Sequence, residues 1–529
     1  MKGKIIGILV VMLLIATVIP AVGTMNENDF IERNLNPFNN FNIKHKTRVD
    51  PYRINIDVDM EKCSFGTDVQ ITSSQEDEGH PHLTMDNKGN PIIVYDHNAE
   101  TYHDVYMQKS DDFGQTWPND LTFFVYGSEE NGVINPVVDM YDGRINGGII
   151  IQSEDAKPYF YGSGIIDITN PSSWEIDLVD NTEITPWMGE VDAACSGEKS
   201  ANYCFISDLI FEDINIENTI QTFWFKDMTL YGDPNATGNV EGLYYTTPPY
   251  FSHPSVAVGN EFHTVVQRDN DNGAQIAFVS TPVYSPTFQN ATSFIKSISR
   301  TNLTYPIVAA SGEYAYCVVQ NDRFDSQDII CYTPAGGFQG WGYEILVDSP
   351  DDEIFPSVAA NGENVICTFI KEGNLYYMTS RDAGESWTEP IQINDVDGTV
   401  VEEYKATDID GPYIIWTDNR NGNQDIFIEK IEMPWIDIQD VRGGFGVSAT
   451  VDNIGSASAH DVPWSIDIEG DYVFYGSQRV GSINAFNHNS EEETIISGFV
   501  FGFGPVLVKV NVGGETTFRY LKMLGPFVY

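Results

Sequence analysis

Positively charged residues are scarce in this chain. Its 529 residues include 28 lysines and arginines against 77 aspartates and glutamates, which gives a formal net charge of −49 at pH 7. Because such a surface repels phosphate, we expect neither nucleic acid nor an anionic membrane surface as a partner. The acids are scattered rather than run together, which is typical of a solvated surface.

Long apolar runs are also rare. The one stretch that approaches membrane-spanning length follows two lysines and runs from Ile5 to about Ala21. This pattern and the small residues up to Gly23 are typical of a secretory signal, so we predict that residues 1–23 are cleaved. The mature protein would then be secreted or extracellular at the cell surface. Retention of the run as a membrane anchor is the alternative.

Cysteine spacings of a zinc site are absent, since the six cysteines include no Cys-x-x-Cys and no Cys/His pattern. In an exported chain, six cysteines predict disulfides instead. Two pairs fall in successive strand-like segments and leave one remainder pair. The candidate disulfides join Cys195 to Cys204, Cys317 to Cys331, and Cys63 to Cys367.

Two short stretches of the chain share the pattern Ser-x-Asp-x-Gly-x-Thr/Ser-Trp. The chemistry is that of a tight β-turn, with an Asp to accept backbone N–H bonds, a Gly at positive φ, a capping hydroxyl and an anchoring Trp. The matching positions are Ser110, Asp112, Gly114, Thr116, Trp117 and Ser380, Asp382, Gly384, Ser386, Trp387.

This pattern resembles the Asp box, or BNR repeat, of sialidases and related β-propellers. The resemblance implies an all-β, sialidase-like propeller. It also implies that the two turns join the outer strands of a blade, away from any active site, so the motif indicates architecture and not chemistry.

A recurring Pro-led start signal supports the same fold class. It occurs at Pro81, Pro136, Pro254, Pro306 and Pro356, with degenerate copies at Glu190-Val-Asp-Ala-Ala and Lys405-Ala-Thr-Asp. These starts define seven units of about 50 to 60 residues, each with four short strands, which is typical of propeller blades. We therefore predict seven blades between residues 66 and 432. Six blades, as in sialidases, is the alternative count.

The seventh unit lacks a fourth strand of its own. Residues 68–72, Asp-Val-Gln-Ile-Thr, match the fourth strand of the sixth unit, Pro390-Ile-Gln-Ile-Asn. We predict that this N-terminal segment completes the last blade and closes the ring.

The two ends of the chain differ from the repeat. Residues 24–65 are polar, rich in Asn and without periodicity, which predicts a linker. Residues 433–529 alternate in hydrophobicity without the repeat and predict a small immunoglobulin-like β-sandwich. Its segments 442–455 and 524–528 resemble C-terminal, adhesion-type domains of exported archaeal surface proteins.

The sialidase resemblance implies three arginines that bind the substrate carboxylate, the first standing two residues before the proline of the first blade. That position holds Gly79, and the other Pro-led blades have no basic residue there. The remaining candidates lie in similar loops, each flanked by Asp, so local pairing is the alternative to a catalytic role. These candidates are Arg268, Arg323 and Arg420.

Calcium is the one cofactor that the loops suggest, although none is required by the prediction. Two tight acidic loops carry hard oxygen ligands of the type that Ca²⁺ prefers, while neither has the EF-hand spacing. The candidate ligands are Asp269, Asp271, Asp395 and Asp397.

Together these features predict an exported binding or attachment protein whose propeller recognises a glycan or a surface protein. The missing arginine argues against catalysis. An exo-sialidase or another glycoside hydrolase or lyase is the enzymatic alternative, and a structural cell-envelope component is the third.

Overall fold

The computed structural model of the chain describes residues 67–86, 88–98, 103–117, 123–125, 131–141, 144–153, 156–161, 166–167, 187–196, 202–210, 219–226, 237–243, 250–270, 273–282, 292–295, 302–322, 326–334, 341–487 and 493–529. Every regular element in these ranges is a β-strand, so the fold is all-β. The same residues contain no helix of the length and apolarity needed to cross a membrane. The predicted signal peptide and linker lie outside the described residues.

The described residues between Val69 and Lys430 contain seven antiparallel sheets of four strands. Strand β1 is Val69–Gln70. Sheet 1 comprises β2 (Asp77–Met85), β3 (Pro91–Asn98), β4 (His103–Lys109) and β5 (Phe123–Val125). Sheet 2 comprises β6 (Asn131–Tyr141), β7 (Arg144–Ser153), β8 (Ala156–Tyr161) and β9 (Ile166–Asp167). Sheet 3 comprises β10 (Trp187–Ser196), β11 (Asn202–Ile210), β12 (Thr219–Lys226) and β13 (Thr237–Leu243).

Sheet 4 comprises β14 (Tyr250–Val258), β15 (Glu261–Asn270), β16 (Gly273–Pro282) and β17 (Thr292–Ile295). Sheet 5 comprises β18 (Leu303–Ser311), β19 (Tyr314–Asn321), β20 (Asp328–Pro334) and β21 (Trp341–Val347). Sheet 6 comprises β22 (Ile354–Asn361), β23 (Asn364–Lys371), β24 (Asn374–Ser380) and β25 (Ile391–Gln392). Sheet 7 comprises β26 (Thr407–Asp410), β27 (Tyr413–Asp418), β28 (Asp425–Lys430) and β1.

The first strands of the seven sheets form a closed ring. Each of β2, β6, β10, β14, β18, β22 and β26 contacts the first strand of the next sheet, and β26 contacts β2. Strand order within a sheet follows the chain, except that β9 pairs with β7 in sheet 2 and β1 is the outer strand of sheet 7. Short antiparallel sheets arranged around a central channel form a β-propeller.

The second strands explain why the sheets pack face to face. The segments Ile92-Ile-Val-Tyr in β3 and Tyr413-Ile-Ile-Trp in β27 are apolar without alternation, and all eight of these residues are buried. A strand with neighbours on both faces can bury every side chain, so a continuous apolar run is stable there. Leu83, Ile93 and Tyr95 of sheet 1 share one core with Ile415 and Ile428 of sheet 7.

Pairing of β1 with β28 confirms the predicted closure of the ring. Val69 lies opposite Ile428 and Gln70 opposite Phe427, in antiparallel register. The Ile71 N–H donates to the Ile426 carbonyl at 2.8 Å, and the Ile426 N–H donates to Thr72 Oγ1 at 2.8 Å. The N-terminal segment therefore covers the edge of sheet 7 that would otherwise be unpaired.

The two Ser-x-Asp-x-Gly turns have the same hydrogen bonds. In the first, the Gly114 N–H donates to Ser110 Oγ at 2.9 Å, and Thr116 donates to Asp112 through its N–H at 2.8 Å and its hydroxyl at 2.6 Å. The second turn repeats these three distances with the equivalent residues Ser380, Asp382, Gly384 and Ser386. Both turns join the third and fourth strands of a sheet.

The tryptophans of these turns are half-buried, not fully buried as their anchoring role suggests. Trp117 packs against the core between sheets 7 and 1, and Trp387 packs against the core between sheets 5 and 6. Trp387 Nε1 donates to the Gly384 carbonyl at 3.2 Å. Each ring therefore covers a core instead of filling it.

The predicted disulfide between Cys317 and Cys331 is wrong. The antiparallel register places Cys317 opposite Tyr332 and Cys331 opposite Val318, so the two side chains point to opposite faces of sheet 5. Cys317, Cys331 and Cys367 are free, buried thiols. The proposed partner of Cys367, Cys63, lies outside the described residues. In sheet 3 the register places Cys204 opposite Ala194 and not opposite Cys195.

Residues after Lys430 form two further antiparallel sheets that pack around one core. One contains β29 (Ile436–Gly444), β30 (Gly446–Asn453) and β34 (Glu493–Ile496). The other contains β31 (Ala459–Glu469), β32 (Val473–Tyr475), β33 (Gln478–Phe486), β35 (Phe501–Val512), β36 (Glu515–Gly525) and β37 (Phe527–Val528). Residues from both sheets, among them Val451, Val462 and Val508, share a single buried cluster.

This C-terminal unit docks on the turns that join the first and second strands of the propeller sheets, which we call the hairpin end. The Asn361 side chain donates to the Ile436 carbonyl at 2.7 Å and accepts from the Ile436 N–H at 3.2 Å. Glu515 binds Ser311, and Lys509 pairs with Glu313. Trp435, which precedes β29, is buried with the core of sheets 6 and 7.

Candidate functional site

The opposite end of the ring carries a repeated irregularity. In six of the first strands the register shifts at one equivalent place, the Pro-led start signal or its degenerate copy. Residues with a side chain rarely adopt positive φ, and the cost is about 1 to 3 kcal/mol each. Even so, the residues at this place have φ between 45° and 60° in five sheets: His80, His253, Tyr305, Phe355 and Lys405.

These bulges bring aromatic rings together at one end of the channel. The ring of Tyr305 lies 4.5 Å from His253, 5.0 Å from Phe355 and 5.3 Å from Tyr404, measured between centroids. His253 is also 4.7 Å from Tyr404. We call His80, His253, Tyr305, Phe355, Tyr404 and Lys405 the channel mouth.

Hydrogen bonds from neighbouring sheets hold two of the strained residues in place. The Tyr305 N–H donates to Gln267 Oε1 at 3.1 Å, and the Phe355 N–H donates to Gln320 Oε1 at 2.8 Å. Gln267 and Gln320 occupy the same register position on the second strands of sheets 4 and 5. The surrounding sheets thus fix the direction in which the rings project.

Charge at the mouth is concentrated around His80. Its Nδ1 lies 2.8 Å from Asp96 Oδ2, and its Nε2 lies 3.6 Å from Glu403 Oε1. Burial opposes protonation, but the hydrogen bonds to Asp96 and Glu403 outweigh it and raise the pKa of His80 to about 10. His80 is therefore a cation at neutral pH, held between two carboxylates.

A cavity of about 280 Å³ runs from the mouth into the channel, and Trp435 lines it beside the hairpin end. Within it, His82 lies 3.5 Å from a carboxylate oxygen of Asp192 and 3.5 Å from one of Asp408. Burial lowers the proton affinity of His82, but Asp408 and Asp192 outweigh it and raise its pKa. Burial, with nearby Asp139 and Asp408, raises the pKa of Asp410 to about 7.

The channel carboxylates also link one sheet to the next. Asp408 accepts from the Leu83 N–H at 2.8 Å across the closure, and Asp192 accepts from the Val256 N–H at 2.8 Å. These acids therefore have structural partners in addition to His82.

The two candidate arginines that the structure describes, Arg268 and Arg420, do not line the cavity below the channel mouth. Arg420 donates to Asp418 from Nε at 2.9 Å and from Nη2 at 2.6 Å, and its Nη2 also lies 2.6 Å from Asp68. This is the local pairing that the flanking acids predict. Arg268 lies near the end of β15, and its Nη1 is 3.5 Å from Gln275 Oε1. Arg323 lies outside the described residues.

The three candidate calcium ligands that the structure describes are engaged in local hydrogen bonds. Asp269 accepts two bonds from Gln267 at 3.1 Å, Asp395 exchanges bonds with Asp68, and Asp397 accepts from Gln392 at 2.9 Å. Asp271 lies outside the described residues. Among the residues that the structure does describe, no three His, Cys, Asp or Glu side chains are grouped to hold a metal ion.

Sequence reasoning missed the channel mouth, although its signal stood in the Pro-led motif. The position two residues before each proline, where the first arginine was expected, holds Gly79, Ile134, Ser252, Thr304 and Ile354. The position immediately before the proline holds Asn135 in the second repeat and a ring-bearing residue in the other four, namely His80, His253, Tyr305 and Phe355. A ring-bearing residue at one place in four repeats predicts a cluster once the repeats are arranged in a ring.

No protein-family model matches this chain, and no curated protein matches it either. Similar solved structures include a Trypanosoma rangeli sialidase in complex with sialic acid, 10% identical over 85% of this chain and 87% of that one, with a TM-score of 0.36. A Penicillium chrysogenum alpha-L-arabinanase complexed with arabinobiose is 12% identical over 69% and 98%, with a TM-score of 0.37. The endosialidase of phage phi92 is 10% identical over 70% and 69%, with a TM-score of 0.39. At these values the likeness assigns no function to this chain.

Proposed function

We propose that the protein is an exported, seven-bladed propeller that binds a glycan at the channel mouth without cleaving it. The observation that carries this proposal is the cluster of His253, Tyr305, Phe355 and Tyr404, of which Phe355 and Tyr404 line the cavity. Seven sheets of four strands support the blade count, and the two-sheet C-terminal unit is proposed to be immunoglobulin-like.

A sugar ring has C–H faces and a rim of hydroxyl groups. Aromatic side chains offer apolar faces that pack against the former, and charged or polar groups bond the latter. The mouth supplies both, because the charged His80 and Glu403 and the amine of Lys405 stand beside the rings. The cavity is small for a ligand pocket, which favours one terminal sugar residue over a long chain.

The way in which the channel uses its charged groups supports binding without hydrolysis. A sialidase-type clamp needs guanidinium groups directed at a carboxylate, whereas Arg420 is occupied by Asp418 and Asp68. Asp192 and Asp408 each accept a backbone N–H and lie beside His82. Carboxylates held in this way connect neighbouring sheets of the propeller, and this structural role suits them better than proton transfer to a substrate.

The test is a glycan-array screen of the full chain beside Tyr305→Ala and Phe355→Ala. We expect a defined set of glycans to bind the parent and to lose about tenfold in affinity in both variants, because each ring supplies stacking worth about 1.4 kcal/mol. Tyr520→Ala, which removes an exposed ring from a strand of the C-terminal unit, is the matched control.

Retention of all array signals in the two mouth variants would overturn the proposed site. Release of a fluorescent leaving group from aryl glycosides by the parent, lost in Tyr305→Ala, would replace binding with catalysis at the same mouth.

A further inference from the structure

The far end of the C-terminal unit exposes a group of aromatic rings. Phe445 is 64% exposed, Phe499 49%, Phe527 47%, Tyr475 63% and Tyr529 65%. The Phe445 ring lies 5.7 Å from Phe499 and 6.0 Å from Phe527, and Tyr475 lies 5.7 Å from Phe499. We call these five residues the aromatic tip.

The turns of the unit place this tip opposite the propeller. Strand β29 begins at Ile436, which bonds to Asn361 of the propeller, and ends at the turn that carries Phe445. The β35–β36 turn, at Gly513 and Gly514, packs against Gly362, while the other ends of those strands lead to Phe499 and Phe527. Three phenylalanines from three separate connections therefore project away from the ring.

The backbone of these connections is fixed. Phe445 pairs with Phe527 in an isolated bridge, and the Gly446 N–H donates to the Pro526 carbonyl at 3.1 Å. The Gly498 and Gly525 turns have φ values of 74° and 64°. The rings are thus presented by ordered turns, although a residue of this size is normally buried when a core is within reach.

The segments that form the tip lack the acidic residues that are frequent in the rest of the chain. The four segments that build the tip, 442–447, 472–478, 495–505 and 523–529, contain no Asp or Glu, whereas 77 of the 529 residues are acidic. Arg442 lies within the first segment, where it pairs with Asp440, and Lys522 lies next to the last. Asp440, Asp471 and Glu493 lie just outside these segments, so the rim carries charges of both signs while the aromatic face itself is free of acids. Exposed aromatic rings without acidic residues among them are typical of surfaces that bind at a membrane–water interface.

We propose that the aromatic tip docks on a lipid bilayer with neutral headgroups, with the phenylalanines inserted at the interface. At these exposures the five rings alone present on the order of 600 Å², which exceeds an ordinary surface patch. The same segments also expose Tyr472, Phe474, Ile496 and Leu524 by more than half. A second copy fits less well than a neutral bilayer, because two chains of net charge −49 repel one another.

Docking through the tip gives the propeller a direction. The channel mouth opens at the end of the ring away from the C-terminal unit, so a membrane-bound molecule holds its mouth towards the surroundings. Docking through the tip does not depend on which ligand the mouth binds, because the mouth residues take no part in it.

Flotation with phosphatidylcholine vesicles tests the inference. Every protein in the series is the full chain with Leu13→Asp and Leu14→Asp, so that the apolar run at residues 5–21 does not itself bind lipid. The parent of this series should float with the vesicles. A variant with Phe445→Ser, Phe499→Ser and Phe527→Ser should remain in the soluble fraction, with the partition coefficient lowered about tenfold per phenylalanine.

Tyr520→Ser is the matched control, because Tyr520 is 52% exposed but lies within β36 and outside the tip. It should float as the parent does, and thermal melting establishes that the triple variant is folded. A parent that stays soluble with every neutral vesicle overturns the inference. So does a parent that forms dimers in solution which the triple variant lacks, since the tip would then bind a second copy.

Discussion

The two ends of the propeller ring are built from the same repeat and use backbone conformation in opposite ways. At the hairpin end, positive φ is assigned to glycines such as Gly89, Gly312 and Gly362, where a Cβ atom would collide with Ile454, Thr516 or Gly514. At the mouth, positive φ falls on His80, His253, Tyr305, Phe355 and Lys405. Glycine is the least strained choice for such conformations, and none of these five positions at the mouth uses it.

The difference shows which end is shaped for packing and which for contact with another molecule. Glycines at the hairpin end allow the C-terminal unit to approach the turns closely. Backbone strain at the mouth is not accompanied by comparable close packing. Instead, it directs aromatic rings towards the channel entrance. Strained residues of this kind concentrate at sites where function, and not stability, determines the side chain.

The largest effect that we expect comes from reopening the ring, on which both ends depend. Deletion of residues 68–72 removes the β1–β28 pairing, the half-buried Val69 and Ile71, and the Asp68 partner of Arg420. The free energy of unfolding should fall by about 5 kcal/mol, from two aliphatic side chains and several hydrogen bonds. Chemical denaturation measures this, and a deletion variant as stable as the parent contradicts the closure.

The hairpin end is tested by Gly362→Ala. The new methyl group would lie 2.4 Å from the Gly514 carbonyl carbon, at a φ of 61°, so we expect a loss of about 3 kcal/mol. Gly398→Ala is the matched control, because Gly398 has a φ of 72° and nothing within 4 Å of an added Cβ. It should cost only about 1 kcal/mol. Equal losses in the two variants would mean that close packing of the C-terminal unit contributes nothing.

The ring itself could be predicted from the sequence, and the mouth could not. Asp-box turns, Pro-led strands and the closing segment are local patterns whose chemistry is fixed by the residues that carry them. Clustering of Tyr305 with Tyr404 depends instead on the positions of separate sheets around the channel. The disulfide prediction for Cys317 and Cys331 failed for a similar reason. The two cysteines do lie on neighbouring strands, but the sequence did not reveal the register, which places their side chains on opposite faces of the sheet.

The two ends should also titrate in different pH ranges. Burial at the docking surface raises the pKa of Glu515 to about 7 from 4.5. The folded state then holds a proton that the unfolded state releases, so this stabilisation is complete below pH 4.5 and is lost as the pH rises through 7. For His80, with a pKa raised from 6.5 to about 10, the corresponding loss occurs between those values.

Thermal melting from pH 4 to 10 separates the two groups. In the parent, the free energy of unfolding should decline as the pH rises. Glu515→Gln should remove about 1 to 2 kcal/mol of this decline below pH 7.5 and leave the decline above pH 7.5 unchanged. His80→Gln should reduce the decline above pH 7.5 and leave the decline below it unchanged. If Glu515→Gln does not change the pH dependence of stability below pH 7.5, the Glu515 carboxyl is ionised throughout that range. Burial at the docking surface would then not raise its pKa.

The smallest expected change in stability, and the sharpest test of the comparison, comes from Tyr305→Gly. Glycine adopts the φ of 52° without strain, which recovers about 1 kcal/mol, while the lost ring contacts and the added chain entropy cost about the same. The free energy of unfolding should therefore stay within about 1 kcal/mol of the parent value. The affinity of Tyr305→Gly for the glycans that the parent binds should nevertheless fall about tenfold. A loss of 3 kcal/mol or more, as expected for Gly362→Ala at the other end, would show that the aromatic cluster is part of the packing of the ring and would remove the reason for placing a binding site at the mouth.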